Sequence, residues 1–258
     1  MLTVGDATLS AWLAGFFWPL LRVGALFSVA PILGYKQPPV RLRLGLAVLI
    51  VLLIQPLIPP APVVDVFSAR AFTMLTQQLL IGLLMGFILQ IAFAALSFGG
   101  QAIAFGMGLG FANMVDPQNG IQVPVISAFF TLLATLLFLL FNGHLILIEI
   151  LARSFTSVPI GSSAIGPQHF MSVVKWGSEI FAAGLLMALP VIAALLLVNI
   201  GMGVITRAAP QMNIFAIGFP ITILLGLALL WLTLPSIFDG FVLLLGRGFD
   251  LIQQLLGI

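Results

Sequence analysis

Apolar residues run through this chain in blocks that are too long and too evenly apolar for half-buried elements of a soluble domain. Six blocks can be drawn, roughly Ala11 to Leu33, Leu44 to Ile58, Ala71 to Leu96, Val125 to Leu151, Ile180 to Ile205 and Ile214 to Leu245. A helix that crosses the hydrocarbon of a bilayer needs about 20 apolar residues, so the first, third, fourth and fifth qualify. The second is short and ends in Gln55-Pro56, and it spans only where the bilayer thins or neighbours help. The sixth is over-long. Pro220 and Pro235 are expected to break it into pieces, and Pro190 to break the fifth, because proline removes a backbone donor and collides with the preceding turn. A membrane tolerates broken helices only where protein covers the freed backbone, which points to hairpin or re-entrant geometry. The pattern predicts an all-α membrane protein of kinked helices and helical hairpins. No linker is polar enough to divide it, so residues 1–258 are read as a single domain.

One stretch departs from this pattern. Phe98 to Pro124, FGGQAIAFGMGLGFANMVDPQNGIQVP, lies between two long apolar runs and reads as neither helix nor ordinary connector. Three glycines, Gly106, Gly108 and Gly110, alternate with apolar residues, and a helix through them gives up roughly 3 kcal/mol relative to alanine. Asp116-Pro117 and Asn119-Gly120 then supply two turn signals. Phe105, Met107, Leu109, Phe111 and Met114 make the stretch too apolar for a disordered linker. The expectation is a long loop packed inside something.

Composition sharpens the class. The chain is 62% hydrophobic and 6% charged, with a mean hydropathy of +1.27, whereas a soluble domain carries about a quarter charged residues. A water-facing surface cannot be assembled from it. A net charge of +2 rests on sixteen charges and gives no footprint for nucleic acid. There is no cysteine, which excludes disulfides, thiolate metal sites and cysteine nucleophiles. The amino-terminal run has an acid, Asp6, and no base before its apolar part, so it is expected to be retained rather than cleaved as a signal peptide. Lys36, Arg41, Arg43 and Arg207 would face one side and Arg70, Arg153, Lys175 and Arg247 the other. The positive-inside count is a tie, and orientation stays open.

The few polar residues inside the apolar blocks are the candidates for specific contacts. Arg22 sits near the middle of the first block, where a lone arginine costs about 2.5 to 3.5 kcal/mol on insertion scales. It either meets a partner or a water-lined path, or it snorkels along its stem to an interface; its central position favours the first. Gln77, Gln78 and Gln90 lie in the third block, and amides in lipid want partners. Gly82 and Gly86 form a GxxxG that permits close helix contact. Glu149 and Arg153 have the i,i+4 spacing of a local helix pair. The spacing of His144 and Glu149 does not place them on one helix face, which argues against a proton relay. His169 is expected to be exposed in a loop, and Glu179 opens the fifth block, where an acid suits a helix amino terminus.

Motifs for catalysis are missing. Neither lysine follows a glycine-rich phosphate loop, no HExxH occurs, and GMGLG lacks the spacing of a dinucleotide fingerprint. Acids are too few and too scattered for a metal cluster, so no catalytic, cofactor or metal residue is assigned. A secondary transporter would also use broken helices, but it would place acids or histidines near the midplane, and the chain offers almost none. That reading ranks second, and an intramembrane enzyme a distant third.

The ordered set of segments resembles the FliR family, the flagellar member of the type III secretion export gate. The marks are FFWPLLRVGALFSVAPILG at 16–34, QQLLIGLLMGFILQIAF at 77–93, the glycine loop ending in MVDPQNG at 114–120, FNGHLILI at 141–148, and LPVIAALLLVNIGMGVITRAAPQMNIFAIGFPI at 189–221. The likeness covers nearly the whole chain. FNGHL and NIFAIGFP resemble the flagellar branch more than the injectisome branch. The resemblance implies a non-enzymatic subunit of a closed-pore assembly in the bacterial inner membrane, at the flagellar basal body. In that family, assembled hairpins are largely lifted towards the periplasm, and one FliR copy stands for a fused FliP-like plus FliQ-like subunit. Implied partners are FliP-like and FliQ-like subunits, FlhB-like and FlhA-like export components, membrane lipid, and the unfolded flagellar proteins that pass through. The resemblance further implies that the loop from Gly106 to Gln122 plugs the pore, with Gly106, Met107, Gly108, Gly110, Phe111, Met114, Asp116, Pro117 and Gly120 as its residues. Arg22, Gln77, Gln78, Gln90, Arg207, Pro210, Asn213 and Gly218 are the subunit-interface candidates.

Overall fold

A computed structural model describes residues 6–34, 39–62, 64–65, 67–110, 125–162, 166–209 and 214–258. Among these the secondary structure is helical: α1 Asp6–Val29, α2 Val40–Ile54 continued by a 3₁₀ turn Gln55–Leu57, α3 Ala69–Gly106, α4 Val125–Leu140, α5 Gly143–Ser157, α6 Pro167–Trp176, α7 Glu179–Ala208 and α8 Ile214–Leu256. Four helical stretches are long and apolar enough to cross a membrane, and α4 with α5 adds a fifth if the bent pair is one span. The second block, expected to be short, reaches 18 residues from Val40 to Leu57 because the 3₁₀ turn carries it past Gln55-Pro56.

Three expectations about breaks are corrected. Pro220 and Pro235 do not divide the sixth block, since both lie inside the continuous 43-residue helix α8, and Pro190 lies inside α7. Apolar surroundings favour keeping every other backbone bond of the helix, so the loss of one donor does not end it. The fourth block, read as unbroken, bends by 63° between α4 and α5. The bend falls at Phe141-Asn142-Gly143, where Asn142 takes a left-handed conformation with φ 55°. Asparagine tolerates that region better than most residues. Finally, α3 runs through Phe98, Gly99 and Gly100 to Gly106, past the expected end of its block at Leu96. Those two glycines are in the helix because other backbone lies against them. A Cβ on Gly99 would stand 2.7 Å from the carbonyl oxygen of Gly184.

The chain packs as two compact units. The first comprises residues 1–90, 138–177 and 246–258 and takes in α1, α2, α3 as far as Gln90, α5, α6 and the end of α8. Here α1 lies on the GxxxG face of α3. A Cβ on Gly82 would collide with the backbone carbonyl of Arg22, and one on Gly86 would stand 2.9 Å from the amide nitrogen of Ala30. The two glycines therefore set the approach of the helices. Phe27, Met74, Ile88 and Phe155 fill the interior, and Trp176 donates its indole N–H to the carbonyl of Ile88 at 3.0 Å.

The second unit comprises residues 91–137 and 178–245. Its core joins Phe93, Ile103, Phe130, Leu195 and Phe241, with the rings of Phe93 and Phe241 edge to face at 5.5 Å. Ser127 of α4 donates to the carbonyl of Ser97 at 3.0 Å, and their hydroxyl oxygens lie 2.7 Å apart. Much of α7 and α8 is apolar and exposed, as at Leu186 and Trp231 (73% and 76%), which is a surface for lipid or protein and not for water.

Candidate functional site

Two constellations stand out, one in each unit. The first is built on Arg22, which is fully buried. Its Nε donates to Gln78 Oε1 at 2.9 Å. Nη1 donates to the backbone oxygen of Ser154 at 2.8 Å and to its hydroxyl at 3.0 Å, and Nη2 donates to the carbonyl of Val158 at 3.0 Å. The guanidinium carbon lies 4.2 Å from the centre of the Phe155 ring. No carboxylate takes part in these contacts. The compensation comes instead from the last turn of α5, whose carbonyls carry the negative end of the helix dipole; the Ser154 oxygen also accepts the Val158 amide at 3.0 Å. A planar fork reaches several such oxygens together, which an ammonium group does not. Arg22 thus caps α5 from across the unit, with Gln78 of α3 holding the guanidinium edge. The Gln78 Nε2 is buried without a hydrogen-bond partner.

The second constellation is the root of the glycine loop. Helix α3 ends at Gly106, and Gly108 has φ 83°, a left-handed conformation suited to glycine after a helix end. Met107 between them is fully buried. A Cβ on Gly226 of α8 would collide with Met107 Cε and stand 3.2 Å from its sulfur, so glycine there makes room for the methionine. Thr222 donates to the carbonyl of Met107 at 3.1 Å, sharing its hydroxyl with its own Phe219 carbonyl at 3.0 Å. Asn199 of α7 donates to the carbonyl of Gly106 at 3.2 Å. Two carbonyls released by the end of α3 thereby find side-chain donors on two other helices.

The remaining sequence candidates are spread through the fold. Gln77 and Gln90 on α3 are half-buried, Arg207 is exposed in the last turn of α7, and Gly218 is buried in α8. Gly110 lies at the edge of the described chain, with Phe105 against it. Phe111, Met114, Asp116, Pro117, Gly120, Pro210 and Asn213 lie outside the described residues. Glu149 and Arg153 form the expected local pair at 2.7 Å, with both side chains more than half exposed. His169 is half-buried, and its Nδ1 accepts the Gly166 amide at 2.9 Å at the start of α6.

Ser154, Phe155, Asn199, Thr222 and Gly226 were not among the sequence candidates. Asn199 carried a readable signal, an amide inside an apolar block, the same argument that singled out Gln78. Serine and threonine give none, because in a helix they bond to their own preceding turn whether or not they reach further.

The family model described as "Bacterial export proteins, family 1" matches residues 13–247. The flagellar biosynthetic protein FliR of Escherichia coli strain K12 is 46% identical over 237 residues, 92% of this chain and 90% of that relative. FliR of Pectobacterium carotovorum subsp. carotovorum is 41% identical over 256 residues, 99% of this chain and 98% of the relative. FliR of Aquifex aeolicus strain VF5 is 34% identical over 219 residues, covering 84% and 83%.

Proposed function

We propose that this chain, which belongs to the FliR family of bacterial export proteins, is a non-enzymatic membrane subunit of the flagellar type III export gate. The observation that carries the reading is the near end-to-end identity with flagellar biosynthetic proteins, 46% and 41% over 92% and 99% of the chain. In this role it joins FliP-like and FliQ-like subunits in the inner membrane at the base of the flagellum, with FlhB-like and FlhA-like components beside it. Unfolded flagellar proteins pass through the pore that the assembly encloses. The exposed apolar faces of α7 and α8 suit burial against such subunits and lipid.

Within that role the loop from Gly106 to Gln122 closes the pore. Its support is physical: an apolar, glycine-rich sequence excludes water while leaving the backbone free to rearrange, and Met107 with Gly108 gives it a fixed root. Residues 1–258 act as one functional domain, with Arg207, Pro210 and Asn213 as contacts to neighbouring subunits. The test is complementation of a strain lacking its own FliR, with co-purification from the same cells. Restored motility and capture of FliP-like and FliQ-like subunits are expected. A chain that reaches the membrane, captures neither subunit and leaves the cells non-motile would overturn the assignment.

A further inference from the structure

A cavity of about 230 Å³ opens within the first unit. It is lined by Phe27, Leu46, Ile50, Phe138 and Leu147 among other apolar residues, with His144 as the one polar side chain. A smaller apolar cavity, about 150 Å³, stays dry and takes benzene, so by proportion this one takes about nine or ten carbons. Water is a poor occupant, because it needs two or more polar partners and the lining side chains offer one.

Two further anomalies meet at this cavity. His144 Nδ1 is buried and has no hydrogen-bond partner, although a folded protein leaves few buried polar atoms unpaired. The turn that follows α1 supplies Pro31, Ile32 and Leu33 to the same wall, and Ile32 there has φ 70°. A β-branched residue is a genuine outlier in that left-handed region, and such strain persists where the surroundings hold it, often at ligand clamps. Backbone bonds hold the turn, from the Leu33 amide to the Pro31 carbonyl and from the Gly34 amide to the Ala30 carbonyl. A void and an unpaired nitrogen each cost stability, and one occupant relieves both while the strained turn walls it in.

The nitrogen specifies the polar group of that occupant. A neutral imidazole has a donor on one nitrogen and an acceptor on the other, and a hydroxyl can answer either. We propose that the cavity binds a neutral amphiphile, with a hydrocarbon body of about nine or ten carbons and a hydroxyl that pairs with His144 Nδ1. Leu139 on the lining is 42% exposed, which gives such a molecule a way in from the surface. The site is independent of the pore-plug reading, since it uses neither the loop nor its root.

A diazirine-bearing decanol, photolysed with the full-length chain in a detergent without alkyl chains, tests the site. Labelling is expected to concentrate on the peptides that carry Leu46 to Ile50 and Leu139 to Leu147. Unlabelled decanol should compete about fivefold better than decane, the factor that one neutral hydrogen bond supplies. In His144→Leu that gap should close while labelling persists. Leu46→Trp should suppress labelling by filling the cavity, and Leu139→Trp does the same from the rim if the first variant loses its helical circular dichroism. Monodecanoylglycerol separates the sources: competition equal to that of decanol assigns the occupant to a neutral lipid, and weaker competition to a free alcohol. Labelling around the exposed Trp231 of α8 as strong as at the cavity would overturn the proposal. So would equal competition by decane and decanol in the wild type, or undiminished labelling in the folded cavity variants.

Discussion

Arg22 donates to both oxygens of Ser154, the backbone carbonyl at 2.8 Å and the hydroxyl at 3.0 Å, although 132 residues separate the two in the chain. The bond ties α1 to the end of α5 and spends, inside the chain, the charge that the first apolar block otherwise could not carry. Its energetic meaning lies in what removal leaves behind. Arg22→Ala removes the guanidinium donor from the Val158 carbonyl and one of two donors from the Ser154 carbonyl, which keeps the Val158 amide, and it opens a void beside Phe155. No buried charge is left behind, and a buried acceptor that loses its donor costs about 1–3 kcal/mol. The variant should unfold at lower temperature or denaturant than wild type as the isolated chain, before any assembly. Arg22→Lys should recover part of the loss, and Ser154→Ala should cost only about 1 kcal/mol because the backbone oxygen remains. Unfolding curves in one detergent compare all three, and a wild-type curve for Arg22→Ala would exclude a structural role.

The glycines make a second, paired prediction. Gly82→Ala pushes a methyl group into the backbone carbonyl of Arg22, which cannot swing aside as a side chain would. Overpacking of this kind costs about 1–3 kcal/mol. At Gly24 and Gly45 an added Cβ meets nothing within 4 Å, so alanine there should be neutral or stabilise by about 0.4–1 kcal/mol. The same unfolding assay separates the positions, and equal effects at Gly82 and Gly45 would contradict the close approach of α1 to α3.

The loop root predicts a graded response. Thr222→Val keeps the shape of the side chain and removes its bond to Met107, at an expected cost of about 1 kcal/mol. Gly226→Val should cost more, since its branches enter the space of the Met107 side chain. Protection of the Ile103 to Met107 amides, read by hydrogen exchange, should fall in both variants while amides near Arg22 keep theirs. Uniform loss of protection along the chain would mean that the root is not a local unit.

Deleting residues 111–122 tests the plug itself while sparing Met107 and Gly108. The expected outcome is assembly with FliP-like and FliQ-like subunits and a membrane that leaks ions and small solutes. Conductance or solute uptake, measured in cells where the complex has been recovered, gives the answer. An assembled deletion variant as tight as wild type would end the plug reading, whereas loss of assembly would make the loop a packing element.

Several features of this protein are decided by sequence alone. Membrane residence follows from composition, because no fold can hide 62% apolar residues behind 6% charged ones. Helices follow from the lengths of the apolar blocks, but α3 runs past the end of its block at Leu96 and stops only at Gly106, the first of the spaced glycines. The family was legible too, as an ordered series of motifs. What the sequence left undecided depends on neighbours brought close in space. Pro220 and Pro235 signal a break, but whether a helix stops at a proline depends on what surrounds the freed carbonyl, and α8 continues. Arg22 is conspicuous as a buried charge, yet only packing selects the end of α5 over lipid headgroup or partner subunit, because backbone carbonyls are identical at every residue and leave no mark in the sequence. The same holds for Thr222 and Gly226: a hydroxyl and a missing side chain become an anchor and a socket only when Met107 arrives beside them.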